Sequence, residues 1–172
     1  MKTLKTLKAP SSIAALWLVL CAHATVSPGA SRPGAYERYV LRVPNESSAP
    51  TIRVEITFPA EVRVFSFSDV PGWKLATTVD STGRALTAVW TGNLPADRFV
   101  EFPFIGVNPN ATTTVTWPVV QVYANGDRAE WTGPPGSNRP ASVTTVSDPT
   151  PPSSPIAWPG ALGGLAFVLA AW

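Results

Sequence analysis

The chain has 172 residues, with 13 Lys+Arg, 11 Asp+Glu, one His and one Cys. The first 22 residues hold Lys2, Lys5 and Lys8. Without them ten basic residues face 11 acidic ones, a net of −1, which excludes a basic nucleic-acid binder.

The N-terminus reads as an export signal. Three lysines precede the short apolar run at 13–20 (IAALWLVL), which is too short to span a membrane. Two cleavage points fit. One lies after Ala22, with Leu20-Cys21-Ala22 before it. The other lies after Ala24, where Ala22-His23-Ala24 matches the A-x-A pattern. A cut after Ala22 makes His23, the only histidine, the first residue of the working protein. Its free α-amine and its imidazole can then chelate one metal ion together, which a histidine inside a chain cannot do. Either cut removes Cys21 and Met1, so no disulfide and no soft sulfur ligand remains.

The body, residues 23–147, reads as strands. Residues 36–43 (YERYVLRV) turn Tyr39, Leu41 and Val43 inward. Residues 51–58 (TIRVEITF) alternate, with Ile52, Val54, Ile56 and Phe58 on one face. Residues 73–79 (WKLATTV) put Trp73, Leu75 and Val79 together. Runs follow at 86–90, 99–104 and 115–123, rich in aromatic and branched residues. Pro118 cannot donate to a ladder, so it marks an edge or a bulge. Loops are expected at 44–50 and 80–83. Asn125-Gly126 signals a hairpin, since both residues tolerate positive φ. Trp73, Trp90 and Trp117 are expected in the core. Seven or eight strands without an amphipathic helix predict an all-β antiparallel sandwich, with a barrel as the alternative.

Residues 148–155 (DPTPPSSP) form a Pro/Ser-rich linker. Residues 156–172 are uncharged and apolar. At about 1.5 Å per residue they approach the bilayer's apolar thickness of about 30 Å, so a C-terminal transmembrane anchor is expected.

Five motifs run in order: HATVSP at 23–28, GAYERY at 34–39, LRVPNE at 41–46, VPGW at 70–73 and EWTGPPGS at 130–137. Together they resemble the bacterial YcnI family of exported copper-binding domains, over roughly residues 23–146. The resemblance implies an Ig-like β-sandwich that binds Cu(II) through a single-histidine brace. The brace would consist of the α-amine and ring nitrogen of the first mature residue, a glutamate and a nearby tryptophan. His23 matches the first position, Glu46 the glutamate and Trp131 the tryptophan. Glu37 is a second candidate for the glutamate. The resemblance also favours the cut after Ala22.

The donor chemistry agrees in part. Cu(II) favours nitrogen with carboxylate oxygen, whereas Cu(I) prefers the sulfur ligands that are missing. The amine must lose its proton to bind, so affinity should fall with pH. With one histidine and no cysteine left after either cut, Ser-His-Asp, Cys-His and multi-histidine zinc sets are disfavoured, so no enzyme is expected. The expected function is an extracytoplasmic, membrane-tethered Cu(II) protein of copper homeostasis or trafficking. Its partners would be copper and a membrane copper transporter or another copper carrier, with no nucleic acid. The alternative is a metal-free Ig-like surface interaction module.

Overall fold

A computed structural model describes residues 23–148. The signal at 1–22, nearly all of the linker and the apolar segment at 156–172 lie outside the described residues. Within them every regular element is a strand, and none is a helix. No described helix is therefore long and apolar enough to cross a membrane.

Twelve strands form three sheets. The first sheet orders β1 (Thr25–Ser27), β3 (Tyr36–Asn45), β8 (Arg98–Val107) and β5 (Arg63–Phe67). The second orders β11 (Arg128–Trp131), β10 (Val119–Tyr123), β4 (Thr51–Thr57), β7 (Ala85–Leu94) and β6 (Lys74–Val79). A third, smaller sheet orders β2 (Ala30–Ser31), β12 (Ser142–Val146) and β9 (Thr113–Trp117). Among the strand pairs of the described residues, only the short β2–β12 contact is parallel.

The core lies between the first two sheets. Tyr39, Leu41, Val43, Phe102 and Phe104 come from the first; Val54, Ile56, Ala88 and Trp90 come from the second; all are buried. Each large apolar side chain removed from water contributes about 1.5–3 kcal/mol. Trp90 stacks on Phe102 with centroids 4.5 Å apart. Trp117 closes the core from the third sheet, 4.7 Å from the Tyr39 ring, and its indole N–H donates to Thr144 Oγ1 at 3.0 Å.

Several details differ from the sequence reading. The strands number twelve because the run at 115–123 divides and because β1, β2, β5 and β12 match no run named from the sequence. Pro118 has no N–H to donate, and the chain changes sheet there: β9 pairs with β12, and β10 pairs with β4. The face assigned to Ile52 is wrong. Against β10 the register slips at Val122 and Tyr123, which face Arg53 and Thr51, so Ile52 is the extra residue of a bulge and is exposed, while Thr51 is buried. Leu75 and Val79 are exposed as well. They lie on β6, the edge strand, where no residue is covered on either side; only the preceding Trp73 turns in, against Phe102.

The two hairpin turns share one design. Gly126 N–H donates to Tyr123 O, and Tyr123 N–H to Asp127 O. Gly83 and Asp80, then Asp80 and Arg84, repeat the pattern. Each is a three-residue loop with glycine in the left-handed region, at φ 88° and 78°. The hairpin signalled by Asn125-Gly126 therefore forms, with Gly126 alone of the two residues at positive φ.

Candidate metal centre

His23 is placed by the strand that follows it. In β1, Thr25 pairs with Arg42 and Val26 with Leu41 of β3. Continuing that antiparallel register sets residue 23 beside residue 44, close to Glu46. Ala24 and Val26 are buried, which fixes the start of β1 to the core. His23 itself is half-buried.

Glu46 is exposed, on the first residue after β3. Buried Asn45 holds the loop that carries it. Its side-chain amide donates to Ala49 O and Leu94 O, each at 3.0 Å, and its Oδ1 accepts from Ser47 N–H at 3.0 Å. The carboxylate can therefore stay in water while its backbone is fixed on both sides.

Trp131 ends β11 and is buried at the floor. The His23 ring meets it edge-on, with centroids 5.3 Å apart and planes at 71°. Its indole N–H donates to Gln121 Oε1 at 3.3 Å. Gln121 Nε2 donates in turn to Pro44 O at 2.9 Å and to Thr51 Oγ1 at 2.7 Å. One buried amide thus ties the tryptophan on the second sheet to the β3 end that carries Glu46. The bulge at Ile52 is what turns Thr51 inward to meet it.

His23, Glu46 and Trp131 line one cleft of about 620 Å³, with Tyr123, Asp127 and Arg139. Burial pushes the Tyr123 phenol up; Arg139 opposes this, and Glu46 and Asp127 add to it. Arg139 arrives on a loop that closes on itself. Gly133 N–H donates to Arg139 O at 3.0 Å, and Ala141 N–H to Gly133 O at 2.9 Å. A Cβ on Gly133 would overlap Ser137 Oγ and lie 3.0 Å from Arg139 O, so a side chain here forces its neighbours to shift. The closed loop sets the Arg139 guanidinium 6.0 Å from the centroid of the Trp131 ring.

His23, Glu46 and Trp131 are therefore brought together, and Glu37 is not. Glu37 lies at the other end of β3, nine residues from Glu46, which at about 3.3 Å per residue is about 30 Å. There it accepts a hydrogen bond from Ser31 Oγ. The length of β3 thus separates the second candidate, Glu37, from the cleft.

Gln121, Tyr123, Asp127 and Arg139 were not singled out from the sequence. Gln121 had a signal: it is a polar residue on the inward register of an apolar run, VVQVY. Arg139 had none, because only the loop closure brings it to Trp131.

Among the described residues, no three His, Cys, Asp or Glu side chains gather as a ready metal cage. The cleft offers His23 and Glu46 as nitrogen and oxygen donors. A complete coordination set here needs a further donor that is not such a side chain. An α-amine on His23, which exists only after a cut behind Ala22, would meet that need, and nitrogen with carboxylate oxygen is a donor set that suits copper.

Comparison with known proteins gives the same residues a context. A family model described as a domain of unknown function, DUF1775, matches residues 23–153. The copper-binding protein CutI of Bacillus subtilis (strain 168) is 30% identical over 129 residues, covering 73% of this chain and 63% of CutI. The chain thus spans less than two thirds of that relative. A solved protein from Nocardia farcinica with an immunoglobulin-like fold superposes with a TM-score of 0.65 at 27% identity, covering 74% of this chain and 99% of that one.

Proposed function

The chain belongs to the DUF1775 family, and from that premise we propose that it is an exported, membrane-tethered protein that binds one Cu(II) and takes part in copper homeostasis or trafficking. The single observation that carries this reading is the cleft where His23 and Glu46 stand together over Trp131. The name of CutI, a copper-binding protein, supports it. So does the start of the family match at residue 23.

Each residue has a task in this reading. His23, freed by cleavage after Ala22, supplies its α-amine and one ring nitrogen. Glu46 supplies a carboxylate from a backbone that Asn45 holds still. Trp131 packs against the His23 ring and limits its rotation, and the indole wall excludes water from one side. The bound ion is cargo, and no residue is assigned a catalytic role. The exposed side of the cleft leaves room for exchange with a membrane copper transporter or another copper carrier.

The test is a Cu(II) titration of protein beginning at His23, beside His23→Ala and Glu46→Gln variants. Both substitutions should weaken binding, His23→Ala the more. Unchanged affinity in His23→Ala sinks the proposal.

A further inference from the structure

The cleft is much larger than one ion requires. Its volume is about 620 Å³, whereas a single water molecule takes about 30 Å³. Its wall is also charged in a telling way. Glu46 and Asp127 face Arg128 and Arg139, so the lining charges balance. A divalent ion at the His23 end would upset that balance and leave two positive charges in excess.

The two arginines are not equivalent. Arg128 has the Glu130 carboxylate at 3.6 Å. Arg139 has no carboxylate within ion-pair distance among the described residues. One of its N–H groups donates to Arg128 O at 3.3 Å, which leaves most of its five donors for a ligand. Two constraints hold it over the cleft: the loop closure at Gly133 and the face of Trp131. Tyr123, Asn138 and Ser47 add further hydrogen-bonding groups to the same wall.

Resting on the copper reading, we infer that the cleft binds a small dicarboxylate together with copper, with one carboxylate gripped by the Arg139 fork and the other directed to the His23–Glu46 end. A planar guanidinium suits a carboxylate in a two-point contact. The excess positive charge of the loaded cleft makes the anion bind better when copper is present. By linkage, the anion then strengthens copper binding by the same factor. The anion is a second ligand of the cleft and a handle on copper release.

Succinate is the probe, measured by calorimetry on protein running from His23 to Trp172. It should bind the copper-loaded protein once, at least about tenfold more tightly than the copper-free protein. Adding it should shift the copper electron paramagnetic resonance spectrum. Arg139→Gln should keep the copper spectrum seen without succinate and lose the succinate effect. Arg139→Lys should restore part of it. A blocked di-glutamate peptide, standing for an acidic segment of a partner, should bind no better than succinate.

Equal succinate binding in Arg139→Gln overturns the inference, as does removal of copper by succinate. Peptide binding without succinate binding overturns it too. A normal copper signal that ignores succinate overturns this inference alone. No copper signal at all overturns the copper reading as well.

Discussion

The indole N–H of Trp131 donates to Oε1 of Gln121 at 3.3 Å, and the same glutamine donates to Pro44 O at 2.9 Å. A single buried amide therefore spans the two sheets beneath the cleft. Replacing it by a side chain of similar size strips three groups of their partner: the Trp131 N–H, the Pro44 carbonyl and the Thr51 hydroxyl. Gln121→Leu should lower stability by about 1–3 kcal/mol, read from the denaturant midpoint. It should also weaken Cu(II) binding, because Trp131 and the Glu46 strand end lose their common anchor. A variant with unchanged midpoint and unchanged copper affinity would contradict this role.

Gly133→Ala tests the loop that carries Arg139. The added methyl group would overlap Ser137 Oγ and come within 3.0 Å of Arg139 O. Ser137 and the backbone beside it must shift to admit it, at a cost of about 1–3 kcal/mol. Heat or denaturant unfolding measures that loss. Gly126→Ala is the control for glycine removal as such: nothing lies near its Cβ, and its cost comes from φ 88° alone. The effect of succinate on the copper spectrum should suffer more in Gly133→Ala than in Gly126→Ala.

Tyr39 predicts a pH dependence on the alkaline side. Burial, with Glu37 adding to it, pushes its phenol up to about 12, against a lowering by the bond to Asn108. Below pH 10 both folded and unfolded chains keep the proton, so Tyr39 contributes no pH dependence. Between about pH 10 and 12 the unfolded chain loses the proton and the folded one keeps it. Stability should therefore fall with rising pH over that window, by roughly 2–3 kcal/mol in total. Unfolding midpoints taken from pH 9 to 12 check this, and Tyr39→Phe should lack that part of the decline. The same variant should lose about 1–3 kcal/mol at neutral pH, since Asn108 Oδ1 is left without its donor.

Much of this arrangement was legible in the sequence, and the reasons for the rest are local. Tyr39, Leu41 and Val43 alternate on a strand without irregularity, so period two placed them correctly. The same pattern failed at Ile52, the extra residue against β10, which reverses the faces. It failed at Leu75 and Val79 because an apolar residue on an uncovered edge strand looks like one in a core. The grouping of His23, Glu46 and Trp131 was expected from motifs. The choice between Glu46 and Glu37 depended on the direction of β3 relative to His23, which spacing alone does not encode. Arg139 became visible only through the closure at Gly133, a contact made by backbone atoms.

The most direct measurement is a Cu(II) titration, read by electron paramagnetic resonance, on two proteins of mass-verified N-terminus. One begins at His23, and the other carries one extra residue before it. The brace predicts one tightly bound Cu(II) with nitrogen ligation in the first. In the second, affinity should fall by at least about tenfold, since the amine has become an amide that no longer binds in the same way. Equal affinity and identical spectra in the two proteins would contradict the account and remove the α-amine of His23 from the site.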